Sequence, residues 1–199
     1  MSGRPHRRSV IVATRNPHKL TELGEILPSL ELEPLPEAVT LPPEDGDTFA
    51  ANALGKARAA GAQTGRPAIA DDSGIAAAAL GGRPGVRSAR FAGPQASDAE
   101  NLSLLIDEMR GAEDRSVAYV CAIAYVDVDG TEIVREARCE GTLAERPRGE
   151  GGFGYDPAFL PADYADGRTM AELSAAEKHA ISHRGRAARA IAAVIDGSP

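Results

Sequence analysis

The chain has 199 residues, and its 22 Lys and Arg against 29 Asp and Glu give a formal net charge of −7. This length suits one domain that buries about 70% of its unfolded surface, so a core can form without disulfide or metal staples. The negative charge and the few aromatic residues, four Phe, four Tyr and no Trp, argue against a nucleic-acid polymer as partner.

The cysteine content and the N-terminal sequence bear on the compartment. Cys121 and Cys139 are too few for a disulfide framework and lack the spacing of a zinc site. The apolar run at residues 10–13 is shorter than the core of a signal peptide. No run has the ~18 apolar residues of a membrane span. We therefore expect a cytoplasmic protein that does not associate with membranes.

The first 70 residues alternate between strand and helix patterns. In chain order they predict a strand at 9–14, a helix from Pro17 to Pro28, a strand at 30–35, a helix from near Thr48 to Gly61 or Gly65, and a short buried strand at 67–70. The first helix has the clearest start, because Asn16 is a capping residue and Pro17 suits the first helical position.

The remaining residues predict a helix, a hairpin and a C-terminal helical segment. In chain order they predict irregular structure with at most one strand at 75–93, a helix at 97–109, strands at 117–128 and 131–143, an irregular segment at 147–161, and helix from Ser174. Asp129-Gly130 is a strong hairpin signal, and Ser174 with Glu177 forms a capping box. No repeat or composition break occurs, so we predict one mixed α/β domain over residues 1–199.

The first candidate site is the turn between the first strand and the first helix, Thr14-Arg15-Asn16-Pro17-His18-Lys19. The backbone N–H groups and the positive dipole end of a helix N-terminus bind anions, and Lys19 adds a full charge one turn later. Phosphate is the expected ligand. The alternative is an ordinary capped helix with a solvated lysine.

The second candidate site is Asp71-Asp72-Ser73-Gly74, which follows the short strand. Adjacent strand residues point to opposite faces, so we expect one of the two carboxylates to face a given site. That carboxylate could act as a base or bind Mg²⁺, which prefers one or two carboxylates together with water and phosphate oxygens. A polar turn after the strand is the alternative.

The third stretch, residues 149–154, satisfies the G-x-G-x-x-G pattern of dinucleotide folds. That pattern requires a strand before it and a helix after it, and neither is predicted here. We predict instead a flexible loop that presents Phe153, Tyr155 and Asp156 where the backbone approaches a flat ligand. A plain mobile loop is the alternative.

The fourth stretch contains Lys178 and the run Ser182-His183-Arg184-Gly185. On one continuous helix Lys178 and His183 would lie about 140° apart, so they could not both face one ligand. Either the helix is interrupted near Ser182 or only one of its faces is functional. Ser182 as a second cap favours the interruption, and the alternative is a solvated basic helix face.

Together and in this order, the four stretches resemble the inosine/xanthosine triphosphate pyrophosphatase family, whose members hydrolyse non-canonical purine nucleoside triphosphates. The resemblance rests on T-x-N-x-x-K, on A-D-D-S-G-I with the segment after it, on G-G-F-G-Y-D-P and on A-E-L-S-x-x-E-K-x-x-I-S-H-R-G. It implies an elongated α/β fold with two lobes around a nucleotide-binding cleft, and a homodimer. It also implies Mg²⁺-dependent cleavage to a nucleoside monophosphate and pyrophosphate.

The resemblance further implies roles for individual residues. Thr14 to Lys19 would hold the triphosphate, Ser73 would touch the substrate, and Asp72 would bind Mg²⁺ and take the proton of the attacking water. The base and the sugar would contact Phe153, Gly154, Tyr155, Asp156, Lys178, His183 and Arg184.

The sequence departs from the family pattern at two positions. Arg15 stands where the family commonly has Gly, so it would stiffen the phosphate turn or add a phosphate contact. Ala51 stands where many relatives have a Glu near the metal. A further acidic metal position of the family maps onto the stretch Pro43-Glu44-Asp45, in which either acidic residue could take its place, and we assign that ligand to Glu44. The rival interpretations are a pyrophosphatase of the septum-inhibition type that acts on modified pyrimidine triphosphates, and a nucleotide-binding sensor without turnover.

Overall fold

A computed structural model of the chain describes residues 7–195, which fall into two compact units. Within the described chain, unit 1 comprises residues 7–72, 122–136 and 187–195. Unit 2 comprises residues 73–121 and 137–186. The division cuts through three strands, so each unit is assembled from segments that are distant in the sequence.

The described residues form six strands and five α-helices. The strands are β1 (Arg8–Val12), β2 (Leu30–Pro34), β3 (Ala68–Ala77), β4 (Ser116–Val126), β5 (Glu132–Leu143) and β6 (Phe159–Pro161). The helices are α1 (Pro17–Ile26), α2 (Phe49–Thr64), α3 (Asp98–Glu108), α4 (Ala175–Ile181) and α5 (His183–Ile195). The strands form one sheet in the order β2-β1-β3-β4-β5-β6. β1 is parallel to β2 and to β3, whereas β5 and β6 are antiparallel, so the predicted mixed α/β fold with flanking helices is confirmed.

The helices α1 and α2 of unit 1 begin where the capping signals predict. The Asn16 side chain accepts a hydrogen bond from the His18 N–H, and the Thr48 side chain accepts one from the Ala51 N–H. α2 ends at Gly65, whose φ of 65° places it in the left-handed region that favours glycine. The face of α2 that carries Ala53, Ala57 and Ala60 is fully buried. These small side chains allow the helix backbone to approach its neighbours closely.

Unit 2 contains a core of larger side chains. Tyr119 and Phe159 stack with their ring centroids 4.3 Å apart, and Leu105 of α3 and Met109, which follows that helix, are buried in the same cluster. α3 begins with a complete capping box at Ser97. Aromatic stacking of this kind contributes about 1 kcal/mol beyond the burial of the two rings.

The helical segment after Ser174 is interrupted, as its cap chemistry predicts. Ser182 has an extended conformation, with φ −61° and ψ 148°, and separates α4 from α5. Its Oγ accepts a hydrogen bond from the Gly185 N–H at 3.0 Å, so Ser182 caps the start of α5. His183 and Arg184 therefore belong to a new helix whose direction is independent of the one that carries Lys178.

Three segments differ most from the sequence-based expectations. β3 does not end at Ala70 but continues through the aspartates to Ala77. The stretch predicted to be irregular at 75–93 supplies the end of β3 and two short 3-10 helices, and the segment 147–161 ends in a 3-10 turn and β6. The local composition does not predict these elements, because their polar and small residues contact side chains that are distant in the sequence. Within residues 7–195, no helix combines the length and the apolar character that crossing a bilayer requires.

Candidate functional site

Two clusters of side chains contain eight of the sixteen predicted site residues. The unit 1 cluster consists of Lys19, Glu44, Asn52, Lys56, Asp71 and Asp72. The unit 2 cluster consists of Tyr119, Phe153, Asp156, Lys178, His183 and Arg184.

The predicted phosphate turn in unit 1 is a capped helix N-terminus. Thr14 Oγ1 accepts from the Asn16 N–H at 3.1 Å, and Asn16 Oδ1 accepts from the His18 N–H at 2.9 Å. Pro17 occupies the start of α1 and has no N–H to donate. These contacts fix the turn so that the positive end of the helix dipole lies beside Lys19.

Lys19 reaches the carboxylate of Asp71. Its Nζ lies 3.1 Å from Asp71 Oδ2, and the Asp71 side chain is fully buried. The register of the parallel strands explains the proximity, since Val12 pairs with Ile69 and the two strands then lead side by side to the turn and to the aspartates. An ion pair at this depth has both a desolvation cost and a strong mutual attraction, so it fixes the position of Lys19.

Asp72 lies in the same unit and accepts a different hydrogen bond. Its Oδ2 accepts from Asn52 Nδ2 at 2.9 Å, and the residue is only 5% exposed. Burial raises the pKa of Asp72, whereas the positive charge of Lys56, the Asn52 hydrogen bond and the more weakly acting charge of Lys19 lower it. The net shift is upward, which makes the ionised carboxylate a stronger base than an exposed aspartate.

Glu44 and Lys56 form a second ion pair of the unit 1 cluster. Lys56 Nζ donates to Glu44 Oε1, and the Lys56 side chain is 7% exposed. The negative charge of Glu44 also raises the pKa of Asp72, so these two carboxylates lie within electrostatic range of each other. Sequence reasoning missed Asn52, Lys56 and the partner role of Asp71. A lysine within a buried alanine-rich helix face was the available signal, because lysine is almost never fully buried without a partner.

The oxygen donors of unit 1 fit a hard divalent cation. Among residues 7–195, no group of three or more His, Cys, Asp or Glu side chains is arranged to hold a metal. Asp72 and Glu44 instead offer two carboxylates, which suits Mg²⁺ because this ion keeps several waters and takes further oxygens from substrate phosphates.

Arg15 makes contacts that its place in the phosphate turn did not predict. Its guanidinium donates to the backbone carbonyls of Leu35, Pro36, Glu37 and Val39 at 2.8–3.2 Å. Arg15 thus braces the loop that follows β2, which accounts for an arginine at a position where glycine was expected. A direct contact of Arg15 with phosphate stays a prediction.

Asp156 organises the unit 2 cluster from a buried position. Its carboxylate accepts hydrogen bonds from Lys178 Nζ at 2.8 Å, from the Tyr119 hydroxyl at 3.0 Å and from the Phe153 N–H at 3.0 Å. Burial and the Asp156 charge raise the pKa of Tyr119 well above its usual value, so Tyr119 remains a donor. A Cβ at position 152 would lie 2.0 Å from Asp156 Oδ2, so only glycine fits there without moving the carboxylate. Asp156 is therefore an internal anchor, whereas we expected the loop to present it to a ligand.

Tyr155 is also an internal residue rather than a presented one. It is 6% exposed, and its hydroxyl donates to the Ser88 carbonyl at 2.7 Å. Burial raises the pKa of its phenol. The expectation that the loop presents Tyr155 to a flat ligand is corrected, because its ring packs in the core of unit 2.

Phe153 is the aromatic residue that the loop presents. Lys178 Nζ lies 4.9 Å and the Arg184 guanidinium carbon 5.6 Å from the centre of its ring, and the residue is partly exposed. The Gly154 N–H donates to Asp98 Oδ2 at 2.8 Å, which holds the loop beside Phe153. A ring bordered by two cations offers a flat apolar surface for a heterocyclic base.

His183 and Arg184 occupy the first turn of α5 and are buried. The His183 ring stacks on Tyr119 with the centroids 4.6 Å apart, and an Arg184 guanidinium nitrogen donates to Ser73 Oγ at 3.0 Å. The interruption at Ser182 allows both these residues and Lys178 to join one cluster. Unit 2 thus brings together Ser73, Phe153, Lys178, His183 and Arg184 from the predicted set.

Comparisons with known proteins agree with one another. A family model described as the Ham1 family matches residues 10–194. The chain is 50% identical over 199 residues to a dITP/XTP pyrophosphatase of Frankia alni, a match that covers 94% of this chain and 96% of that protein. It is similar to the solved structure of a Ham1 protein from Coxiella burnetii, with a TM-score of 0.85, 41% identity, and 96% and 99% of the two chains covered. A solved nucleoside-triphosphatase/dITP/XTP pyrophosphatase from Mycobacterium abscessus gives a TM-score of 0.73 and 46% identity, covering 92% of this chain and 98% of that one.

Proposed function

Since the chain belongs to the Ham1 family, we propose that it hydrolyses the non-canonical purine nucleoside triphosphates ITP, dITP and XTP to the nucleoside monophosphate and pyrophosphate. The names of the relatives support this class of reaction and substrate. The observation that carries the proposal in this chain is the unit 1 cluster, in which Lys19 is fixed on Asp71 beside Asp72.

We assign the triphosphate to the turn from Thr14 to Lys19. The N-terminus of α1 provides a positive dipole end, and Lys19 provides a full positive charge beside it. Ser73 follows Asp72 directly in the chain, and its hydroxyl would donate a hydrogen bond to the substrate. Cleavage of a phosphoanhydride needs little covalent chemistry from a protein, so positioning and charge neutralisation dominate the rate.

We assign proton removal from the attacking water to the carboxylate of Asp72. Its raised pKa suits a general base, and its contact with Asn52 holds the carboxylate in one orientation. Asp72 and Glu44 would also hold a divalent cation, Mg²⁺ in this proposal. When bound, that ion would neutralise the charge that develops on the phosphate oxygens.

We assign recognition of the base to the unit 2 cluster. Phe153 would stack on the purine, and donors from His183 and Arg184 would bind the oxygen at purine position 6. Adenine has an amino group at that position, which would leave the donors without acceptors at a cost of about 1–3 kcal/mol each. Gly154 and Lys178 would line the base and sugar end. Tyr155 and Asp156 would support that surface from beneath, in keeping with their burial.

The homodimer, the single two-lobed domain and the cytoplasmic location stay predictions of the sequence. Light scattering of the purified protein tests the first, and we expect twice the monomer mass of 20.7 kDa. The substrate would be a free nucleotide, since the net charge of −7 disfavours a nucleic-acid polymer.

One assay tests the proposed reaction. The purified chain is incubated with Mg²⁺ and a panel of ITP, dITP, XTP, ATP, GTP and a modified pyrimidine triphosphate, and both pyrophosphate and monophosphate are measured. We expect preferential turnover of the first three substrates with equal amounts of the two products. Preference for the modified pyrimidine would favour an enzyme of the septum-inhibition type. Tight binding without product would favour a nucleotide sensor.

A further inference from the structure

Asn52 connects two parts of unit 1 that are distant in the sequence. Its Nδ2 donates to Asp72 Oδ2 on β3 at 2.9 Å, and its Oδ1 accepts from the Gly46 N–H at 2.9 Å. The residue lies in the first turn of α2 and is 5% exposed. One buried carboxamide therefore joins the strand that carries Asp72 to the loop that carries Glu44.

The chemistry of the two partners fixes the orientation of this carboxamide. A backbone N–H can only donate, so the oxygen of Asn52 must face Gly46. The Asn52 amide nitrogen must then face Asp72, where it meets an acceptor. A rotated carboxamide would place donor against donor and acceptor against acceptor, and it would lose both hydrogen bonds in a buried site.

The loop is held by α2 at a second point. Lys56 lies four residues after Asn52, on the same face of the helix, and pairs with the Glu44 carboxylate. Asn52 thus holds the loop backbone two residues after Glu44, and Lys56 holds the Glu44 side chain. A structural need to cap α2 does not explain Asn52, because Thr48 already caps that helix.

The contact between Gly46 and Asn52 leaves no room for a side chain. A Cβ at Gly46 would lie 2.7 Å from Asn52 Oδ1 and 3.2 Å from Ala51 Cβ. The φ angle of Gly46 is outside the left-handed region, so an alanine can adopt this backbone conformation without strain. The cost of Gly46→Ala would come from the steric clash of the new Cβ with Asn52 Oδ1. Ala51, the departure from the family pattern, is thus adjacent to this contact.

We propose that Asn52 is a positioning residue, which sets the Asp72 carboxylate and the Glu44 loop at the separation that one divalent cation requires. This inference rests on the proposed function, in which Asp72 and Glu44 hold the metal. Residues that orient metal ligands from behind typically change metal affinity by about 10–100-fold when they are altered.

The test uses Gly46→Ala and Asn52→Ala, with Gly24→Ala as the matched control. A Cβ at Gly24 would have no heavy atom within 4 Å, so this control adds the same methyl group without a contact. Binding of Mn²⁺ alone to the substrate-free protein is measured by isothermal titration, and the Mg²⁺ dependence of ITP hydrolysis is measured separately. We expect both variants to bind Mn²⁺ about 10-fold more weakly, or worse, and the control to match the parental protein.

The kinetic readout separates positioning from a merely structural role. In both variants the Mg²⁺ concentration at half-maximal rate should rise, whereas the KM for ITP at saturating Mg²⁺ should stay within about twofold of the parental value. Reduced thermal stability of both variants with unchanged Mn²⁺ affinity would overturn the proposal. A parental protein that binds no Mn²⁺ would also overturn it. The Mn²⁺ titration involves no turnover, so absent hydrolysis with the expected Mn²⁺ differences would count against the proposed reaction and not against this inference.

Discussion

The two clusters differ in how their carboxylates are paired. In the unit 1 cluster, Asp71 pairs with Lys19, Glu44 pairs with Lys56 and Asp72 accepts from an amide. In the unit 2 cluster, a single carboxylate, Asp156, accepts from three different donors. When ionised, the three carboxylates and two lysines of the unit 1 cluster have a net charge of −1. This negative charge favours the binding of a cation.

This difference shows that a buried aspartate in a conspicuous motif is not necessarily a reactive one. Asp72 makes a contact that orients its carboxylate, and burial raises its pKa. Asp156 is surrounded by donors that satisfy it, so its energetic contribution is to hold Lys178, Tyr119 and the Phe153 loop in place. We therefore expect substitution of Asp72 to affect the reaction and substitution of Asp156 to affect the fold.

The largest effect should follow Asp72→Asn. An amide oxygen can still accept from Asn52 but cannot take a proton from water, so kcat for ITP should fall about 10²–10⁴-fold with little change in nucleotide binding. Steady-state kinetics and equilibrium binding measure the two effects. Asp107→Asn, at an exposed ion pair with Arg110, is the matched control and should leave kcat unchanged. A nearly fully active Asp72→Asn protein would remove the base role from Asp72.

The converse prediction concerns Asp156→Asn. This change leaves the buried Lys178 ammonium without its carboxylate partner, so the free energy of unfolding should fall by about 3 kcal/mol or more. Urea denaturation measures the loss. Asp107→Asn is again the control, and its free energy of unfolding should differ from the parental value by less than about 0.5 kcal/mol. If Asp156→Asn were as stable as the parental protein but inactive, the two aspartates would not differ in the way described.

A third prediction separates phosphate binding by Lys19 from its pairing with Asp71. Lys19→Met should raise the KM for ITP about 10–100-fold, because a charge-assisted contact with phosphate is lost. The double variant Lys19→Met/Asp71→Asn removes both charges of the ion pair. It should therefore be more stable than Lys19→Met and keep the raised KM. Lys19→Arg retains the charge, so its KM for ITP should lie between that of the parental protein and that of Lys19→Met. An unchanged KM in the double variant would contradict the phosphate role.

The smallest effect is the pH dependence of stability in metal-free protein. The raised pKa of Asp72, caused mainly by burial, means that the folded chain binds this proton more tightly than the unfolded chain does. Stability should therefore fall as pH rises from the ordinary aspartate pKa through the raised value. Asp72→Asn should lack this decline, so its stability relative to the parental protein should increase from about pH 4 to about pH 8. Urea titrations in EDTA at both pH values check the sign, and an opposite trend would contradict the pKa shift.

Local chemistry made several elements predictable from the sequence. Helix ends can be recognised because capping residues satisfy backbone groups that the helix leaves unpaired. The side chains at the helix starts that do so belong to Asn16, Thr48 and Ser97, and Gly65 caps the end of α2. Asp129-Gly130 predicted the hairpin because a tight turn requires positive φ angles, and Gly130 has a φ of 87°. The interruption at Ser182 was also a local event, since a serine hydroxyl caps the helix that follows. These interactions involve residues within a few positions of one another.

The continuation of β3 could not be predicted in the same way. Asp71, Asp72 and Gly74 are typical turn residues, but here Lys19 pairs with the first and Asn52 binds the second. A Cβ at Gly74 would lie 2.3 Å from Ser88 Oγ, so the strand needs glycine at a close approach and not at a turn. The partners are 14 or more residues away, and no local pattern contains them.

The sequence by itself determined where the capped helices of this protein begin, which turn carries the positive charge, and which family motifs are present. The tertiary structure alone decided that Asp156 is an anchor, that Arg15 braces a loop, and that Asn52 and Lys56 belong with Asp72. The physical reason is that capping and turn chemistry act through neighbours in the chain. Burial, ion pairing and carboxylate orientation depend on residues that only folding brings together.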